Sequence, residues 1–281
     1  MKRSDEVGDL IRSLTARQPA LRWQTAARLV GLICRSHTDI LNALGEALKD
    51  EHPFVRWQAA TALARTRDPI AKAILQRALT EGPPLAQSAV IDAMDQMDRP
   101  EVSLLLRALE SPEAIVRQSA VEALVRQRVR TAVSRLINLL NDPAPGVRRA
   151  ATSAFARLWD KHAVTLLIER LQDESPLVRR SAAYVLGARR VRTALPALLN
   201  ALDDPQPEVR YTATWAIGRI GAPVAVPRLE KLLNDTALDG MLAAEAARAI
   251  AAITCRGWRR LGCLLIKRNA ISRLPEWEGV K

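Results

Sequence analysis

One arrangement of residues returns along this chain at almost constant spacing, and that regularity restricts the fold more than any bulk property does. Its clearest copy is Asp204-Pro205-Gln206-Pro207-Glu208-Val209-Arg210-Tyr211-Thr212-Ala213-Thr214-Trp215-Ala216-Ile217-Gly218-Arg219-Ile220-Gly221. Worn copies precede it, among them Asp173 with Pro176-Leu177-Val178-Arg179, Asp142-Pro143 with Val147-Arg148, and Asp50 with Pro53-Phe54-Val55-Arg56. With the arginine as anchor, or Gln87 in one copy, the anchors fall at 22, 56, 87, 117, 148, 179 and 210, in steps of 34, 31, 30, 31, 31 and 31. A unit of this length cannot bury its apolar face alone, so stacked neighbours must bury it for one another. The prediction is an all-α solenoid of about eight helical hairpins over residues 1–253, with a basic capping helix and tail over 254–281.

Apolar spacing places two helices in each unit. Val7, Leu10, Ile11 and Leu14 follow the i, i+3, i+4, i+7 rule, and Leu195, Leu198, Leu199 and Leu202 repeat it near the other end. First helices are expected around 5–16, 38–49, 69–79, 100–109, 131–140, 162–171, 192–202 and 224–233. Second helices are expected around 20–34, 53–65, 84–96, 113–126, 146–159, 176–188, 207–220 and 237–253. No segment alternates with period two, so no sheet is expected. In the second helices, positions three, four, seven and ten after the anchor form a small apolar side. Positions one, two, five and nine turn away from it, toward solvent or a partner.

A row of arginines suggests a phosphate rail, but the acids argue for structure. Asp50, Asp142, Asp173 and Asp204 each lie six residues before an anchor. There they can cap the second helix and pair with an anchor arginine of the same or the adjacent repeat. Arg22, Arg56, Arg148, Arg179 and Arg210 are therefore read as a structural ladder. In the last unit Ala243 stands at the anchor position after a two-residue insertion, as befits a terminal repeat. Beyond it, Trp258, Leu261, Leu264, Leu265 and Ile271 among arginines predict a helix over 257–273 that closes the core or docks on a membrane surface or partner.

Charge points toward an anionic partner. The net charge is +12, and residues 250–274 carry six basic side chains and no acid, whereas residues 83–160 carry ten bases against nine acids. No run approaches the roughly 18 uncharged apolar residues of a membrane span, and Met1–Glu6 has no signal-peptide apolar core, so a soluble cytoplasmic protein is expected. Cys34, Cys255 and Cys263 lack metal-ligand spacing. No Gly-rich phosphate loop or Ser-His-Asp set is apparent. No metal, cofactor or catalytic residue is assigned.

The unit Asp-x-x-Pro-x-Val-Arg-x-x-Ala-x-x-Ala-[Leu/Ile]-Gly-x-Ile-Gly, seen at Asp204–Gly221 and in part at Asp173–Gly187, resembles the short HEAT-like repeat named after the phycobilisome chromophore lyases. The resemblance runs from about residue 5 to about residue 253. It implies a right-handed α-solenoid whose second helices line a concave surface, in proteins many of which are scaffolds or adaptors. The outward positions would then form the partner-binding face: Trp23, Trp57, Arg65, Arg126, Arg149, Arg157, Arg180, Tyr184, Tyr211, Trp215 and Arg219, with smaller polar residues such as Thr61, Asp92, Glu122 and Ser153 between them. Five of the ten aromatics occupy this face, with arginines, the residue types that dominate binding hot spots. Trp23 and Trp57 can alternatively pack on each other between repeats. Arg128 and Arg130, with Arg189, Arg190 and Arg192, follow second helices and predict a basic edge.

The function implied is a non-catalytic scaffold that binds an acidic protein partner. One alternative is nucleic-acid binding in a basic groove, by architectural analogy with HEAT-like alkylpurine DNA glycosylases. Another is a lyase-like or chaperone role on a chromophore protein. HEAT-repeat metal hydroxylases need paired His-Glu motifs, and here only a reversed Glu51-His52 and isolated His37 and His162 occur.

Overall fold

The computed structural model describes residues 2–30, 37–66, 68–94, 102–234 and 240–257. They are helical with short turns, and no strand occurs among them. The chain divides into two compact units, Met1–Leu136 and Ile137–Lys281. The predicted C-terminal helix over 257–273 lies almost wholly outside the described residues.

In the first unit the hairpins are α1 (Lys2–Ser13) with α2 (Pro19–Val30), α3 (His37–Ala47) with α4 (Pro53–Arg65), α5 (Pro69–Glu81) with α6 (Pro84–Ala93), and α7 (Val102–Ala108) with α8 (Ala114–Arg126). α9 (Val133–Asn138) spans the division and pairs with α10 (Pro145–Ala154). α11 (Val164–Glu169) pairs with α12 (Pro176–Ala188), α13 (Leu195–Asn200) with α14 (Pro207–Ile220), and α15 (Val226–Leu233) with α16 (Gly240–Gly257). Second helices open on proline at 19, 53, 84, 145, 176 and 207, where the missing N–H has no intrahelical acceptor to lose. First helices of the second unit are shorter than expected. Single 3-10 turns flank α9, α11 and α13, at 130–132 and 139–141, 161–163 and 170–172, and 192–194 and 201–203.

The core is the predicted small apolar side of each second helix, facing the leucines of its first helix. Ala213, Thr214, Ile217 and Ile220 of α14 are buried, and so are Leu195, Leu198 and Leu202 opposite. The buried face extends further than the wheel suggested. Ala216 and Gly218 are also covered, because α14 touches a second helix on each side. A Cβ on Gly187 would lie 2.5 Å from both Cα and Cβ of Ala216, and one on Gly218 would lie 2.9 Å from the same atoms of Ala249. Both glycines occupy the eighth position after the anchor and mark where α12, α14 and α16 approach most closely.

The ladder is real, with a division of labour that spacing alone left open. Arg148 donates from Nε and Nη2 to the two oxygens of Asp173 (2.8 and 2.9 Å) and from Nη2 to Glu174 (2.8 Å). Its Nη1 donates to the carbonyls of Asp142 and Pro143 (2.9 and 3.0 Å), so each side of the guanidinium fork is occupied. Arg179 repeats this toward Asp204 (2.7 and 2.9 Å) and the carbonyls of Asp173 and Glu174. Arg22 bonds Asp50, and Arg210 the carbonyls of Asp204 and Pro205. Arg22, Arg148 and Arg179 therefore staple the turn of their own repeat and grip the aspartate of the next, while Arg56 and Arg210 bond the carbonyls of their own turns. Gln87 keeps half of this, donating to the Gly82 carbonyl at 2.9 Å.

The aspartates do not cap the helices directly. Asp50, Asp142, Asp173 and Asp204 each accept the N–H two residues on, from His52, Ala144, Ser175 and Gln206, so they order the turn that leads into the N-cap. The physical reason is position: each aspartate stands two residues before the N-cap residue, too far back to reach the second and third N–H groups of the helix, which a capping side chain bonds.

Burial alone would raise the Asp173 carboxyl. The hydrogen bonds from Arg148 and the Ser175 N–H outweigh it and hold the group below the ordinary carboxylate value; Arg179 and the Gln206 N–H do the same for Asp204. A folded pKa below the unfolded one contributes stability that is present above the unfolded value of about 4 and is lost as pH falls through the folded value. Urea midpoints recorded against pH are therefore expected to hold level above about pH 5 and to fall steadily below about pH 4. A flat profile there would contradict the ladder.

Candidate functional site

The two units carry different outward faces. In the first, Trp23 of α2 meets Phe54 edge-on at 5.1 Å, and Phe54 stacks on Trp57 at 5.4 Å, both at the N-terminal end of α4. The two tryptophans are thus joined through a phenylalanine that the outward-position rule did not select. Phe54 and Trp57 remain 44% and 40% exposed. Arg65 is exposed at the other end of α4, while Thr61 between them is buried. Expected on the face, Thr61 is too short to reach the surface with Trp57 and Arg65 one turn to either side. Further along this unit the charges cancel: Arg126 lies 3.6 Å from Asp92, and Gln118 donates to Glu122.

In the second unit the face is cationic. Arg157, Arg180 and Arg219 are exposed and Arg149 is half-buried. Tyr184 of α12 stacks on Trp215 of α14, with ring centroids 5.3 Å apart and planes at 11°. The guanidinium carbon of Arg219 lies 5.8 Å from the Trp215 ring centre. Tyr211 is half-buried beside them, and the other outward positions here, Ser153, Ser181 and Thr212, are uncharged. No acid stands at an outward position of α10, α12 or α14.

The predicted edge arginines 128, 130, 189, 190 and 192 are exposed, yet they are not equivalent. Arg189 donates to the Ala156 carbonyl and sits over Trp159 at 5.5 Å, which ties it to the preceding repeat. Arg128 and Arg190 adopt left-handed backbone, φ 55° and 54°, at the position where the α14 repeat uses Gly221, φ 74°. Their N–H groups, and those of Val129 and Val191, return to the helix carbonyls as a left-handed cap requires. An L-residue there is strained by about 1–2 kcal/mol. Arg190→Gly is therefore expected to raise the unfolding free energy by about 1 kcal/mol, net of the extra chain entropy of glycine; a lowered urea midpoint would refute the strain.

Two surface features escaped the residue-pattern reading. Phe54, Leu85, Ile115 and Leu177 stand two residues before their anchors, in the first turn of their second helices, and are 42–53% exposed. Their shared register was the available signal. A cleft of about 650 Å³ also opens between the first helices of the first unit and the start of α6, lined by Ile11, Ala43, Ile74 and Ala86 among others. The ion pairs Lys49–Glu46 and Arg77–Glu81 lie at its rim. Among the described residues no helix is long and apolar enough to cross a membrane, and no three His, Cys, Asp or Glu side chains converge as a metal site.

Similarity to known proteins agrees with this architecture. No curated protein matches the sequence. Among solved structures, YibA of Escherichia coli is similar over 88% of this chain and 92% of its own, at 21% identity and a TM-score of 0.65. An engineered protein is similar over 97% and 85%, at 20% identity and a TM-score of 0.57. Kap95p, solved with RanGDP, is similar over 92% of this chain and 40% of its own, at 18% identity and a TM-score of 0.57. At these identities the likeness concerns the fold. The family description HEAT repeats matches residues 8–95, 102–175 and 164–251, and with the repeat period, the paired helices and the arginine ladder already in view, the chain belongs to the HEAT-repeat family.

Proposed function

We propose that this chain is a HEAT-repeat interaction scaffold, and that the second-helix face of residues 137–281 takes an acidic protein partner. The observation that carries the reading is the charge of the part of that face formed by α10, α12, α14 and the turns that follow them: four arginines, two stacked aromatics and no acid at the outward positions, against the balanced Arg126–Asp92 face of the first unit. Exposed aromatics beside arginines are the composition of binding hot spots. Kap95p, similar in fold, binds a protein, RanGDP. The Trp23–Phe54–Trp57 cluster offers the first unit an apolar contact of its own.

Affinity purification of the full chain from its native host, repeated with Arg180→Glu and with Trp57→Ala, tests the reading. Arg180→Glu is expected to deplete the acidic partners at least about tenfold, as loss of one charged hot spot implies. Equal recovery by both variants and the parent would overturn it. Recovery of nucleic acid instead, with a steep loss on raising salt, would put a phosphate-binding face in its place.

A further inference from the structure

Successive second helices pack side by side at about 8–10 Å. In the row made by the fifth residue after each anchor, α10 presents Ser153, α12 Tyr184 and α14 Trp215. The Tyr184 ring covers one of its faces with Trp215. Its counterpart in the row on α10 is Ser153, a small hydroxymethyl side chain. Among the described residues no other ring or cation contacts Tyr184, and it is 50% exposed. Ser153 donates to the Ser181 hydroxyl at 3.3 Å, leaving a small polar floor between the two helices. Arg180 stands exposed on α12, and Arg157 in the turn that follows α10.

From this we infer that the open side of Tyr184 is a slot for a planar aromatic side chain carried by an acidic peptide segment, whose carboxylates meet Arg157 and Arg180. This rests on the acidic-partner reading and adds the anchoring residue. A ring inserted there extends the Tyr184–Trp215 stack by one member, and the surrounding arginines reject a cationic guest while attracting carboxylates. A nucleic-acid strand fits less well. Strands bind by stacking successive bases on successive aromatics, and here Trp215 is half-buried against Tyr184 with Arg219 at its ring, which leaves Tyr184 as the more exposed ring of the pair.

The test is fluorescence anisotropy of the full-length chain with dye-labelled synthetic peptides of about ten residues, long enough at about 3.3 Å per residue to cross three helices. One is Glu-rich with a single central tryptophan, its twin has alanine there, and an oligothymidylate of similar length is the third probe. The tryptophan peptide is expected to bind about three- to tenfold tighter than its twin, the range of one aromatic stack. Tyr184→Ala should erase that difference, Tyr184→Phe should keep it, and Arg180→Glu should weaken both peptides. Circular dichroism confirms that each variant is folded, as substitution of an exposed ring allows. An unchanged preference in Tyr184→Ala, or none in the parent, overturns the slot. If both peptides bind alike and Arg180→Glu still weakens them, the acidic-partner reading stands and only the slot fails. If neither peptide binds, or only the oligothymidylate does, both fail.

Discussion

Asp173→Ala is expected to lower the unfolding free energy by about 3–5 kcal/mol, the largest effect of any single change outside the apolar core. The aspartate is 2% exposed and its partner Arg148 7%. Removing the carboxylate strands a buried guanidinium whose remaining acidic partner, Glu174, is 80% exposed, and it frees the Ser175 N–H. Most of the loss is the penalty of an unmatched charge away from water, and the pair itself contributes less. The combined Arg148→Met and Asp173→Leu variant separates the two effects. If the penalty argument is right, it recovers most of the lost stability, because apolar pairs often replace buried ion pairs at little loss. Urea denaturation of both variants measures this, and a loss below about 1 kcal/mol for Asp173→Ala would reduce the ladder to the rank of a surface ion pair.

Gly187→Ala is expected to destabilise by about 2 kcal/mol. A methyl 2.5 Å from Cα of Ala216 meets backbone, which cannot rotate away, so α12 and α14 must part. Overpacking of this kind costs about 3 kcal/mol at its upper end, and the better helix propensity of alanine returns about 1. The added carbon would also lie 3.0 Å from Cζ3 of Trp215, so parting the helices disturbs the ring on which Tyr184 stacks. Near-ultraviolet circular dichroism should change together with the melting temperature. Gly218→Ala, with 2.9 Å contacts, should cost less and leave the aromatic signal intact.

Much of the fold was legible because it is written several times. Val209, Arg210, Ala213 and Ile217 recur as Val178, Arg179, Ala182 and Leu186, and all the apolar members of both sets are buried. A worn copy is corrected by its neighbours, which is how Gln87 could be recognised as an anchor before its bond to Gly82 was seen. The candidate faces were less legible because they consist of the positions that do not repeat. Tyr184 and Trp215 were selectable by register, but that they stack depends on the approach of α12 to α14, which Gly187 sets and a helical wheel ignores. Phe54 escaped because it joins two tryptophans from outside the wheel positions, and Thr61 was misplaced because the wheel takes no account of side-chain length. The strain at Arg128 and Arg190 is invisible in composition, since only the backbone tells that the chain turns left-handed there.

The arginine ladder also bears on how such a chain changes length. The Arg148 and Arg179 links each join an arginine to an aspartate 25 residues later, and Asp173 and Asp204 begin units 31 residues apart. A unit of this kind brings one acceptor for the unit before it and one donor for the unit after. A second copy of residues 173–203 spliced in frame before Asp204 would find both neighbours already equipped to hold it. Nothing in these links counts the repeats, so tandem duplication and deletion of whole units are the genetic changes this architecture tolerates best, and insertions of partial length those it tolerates least.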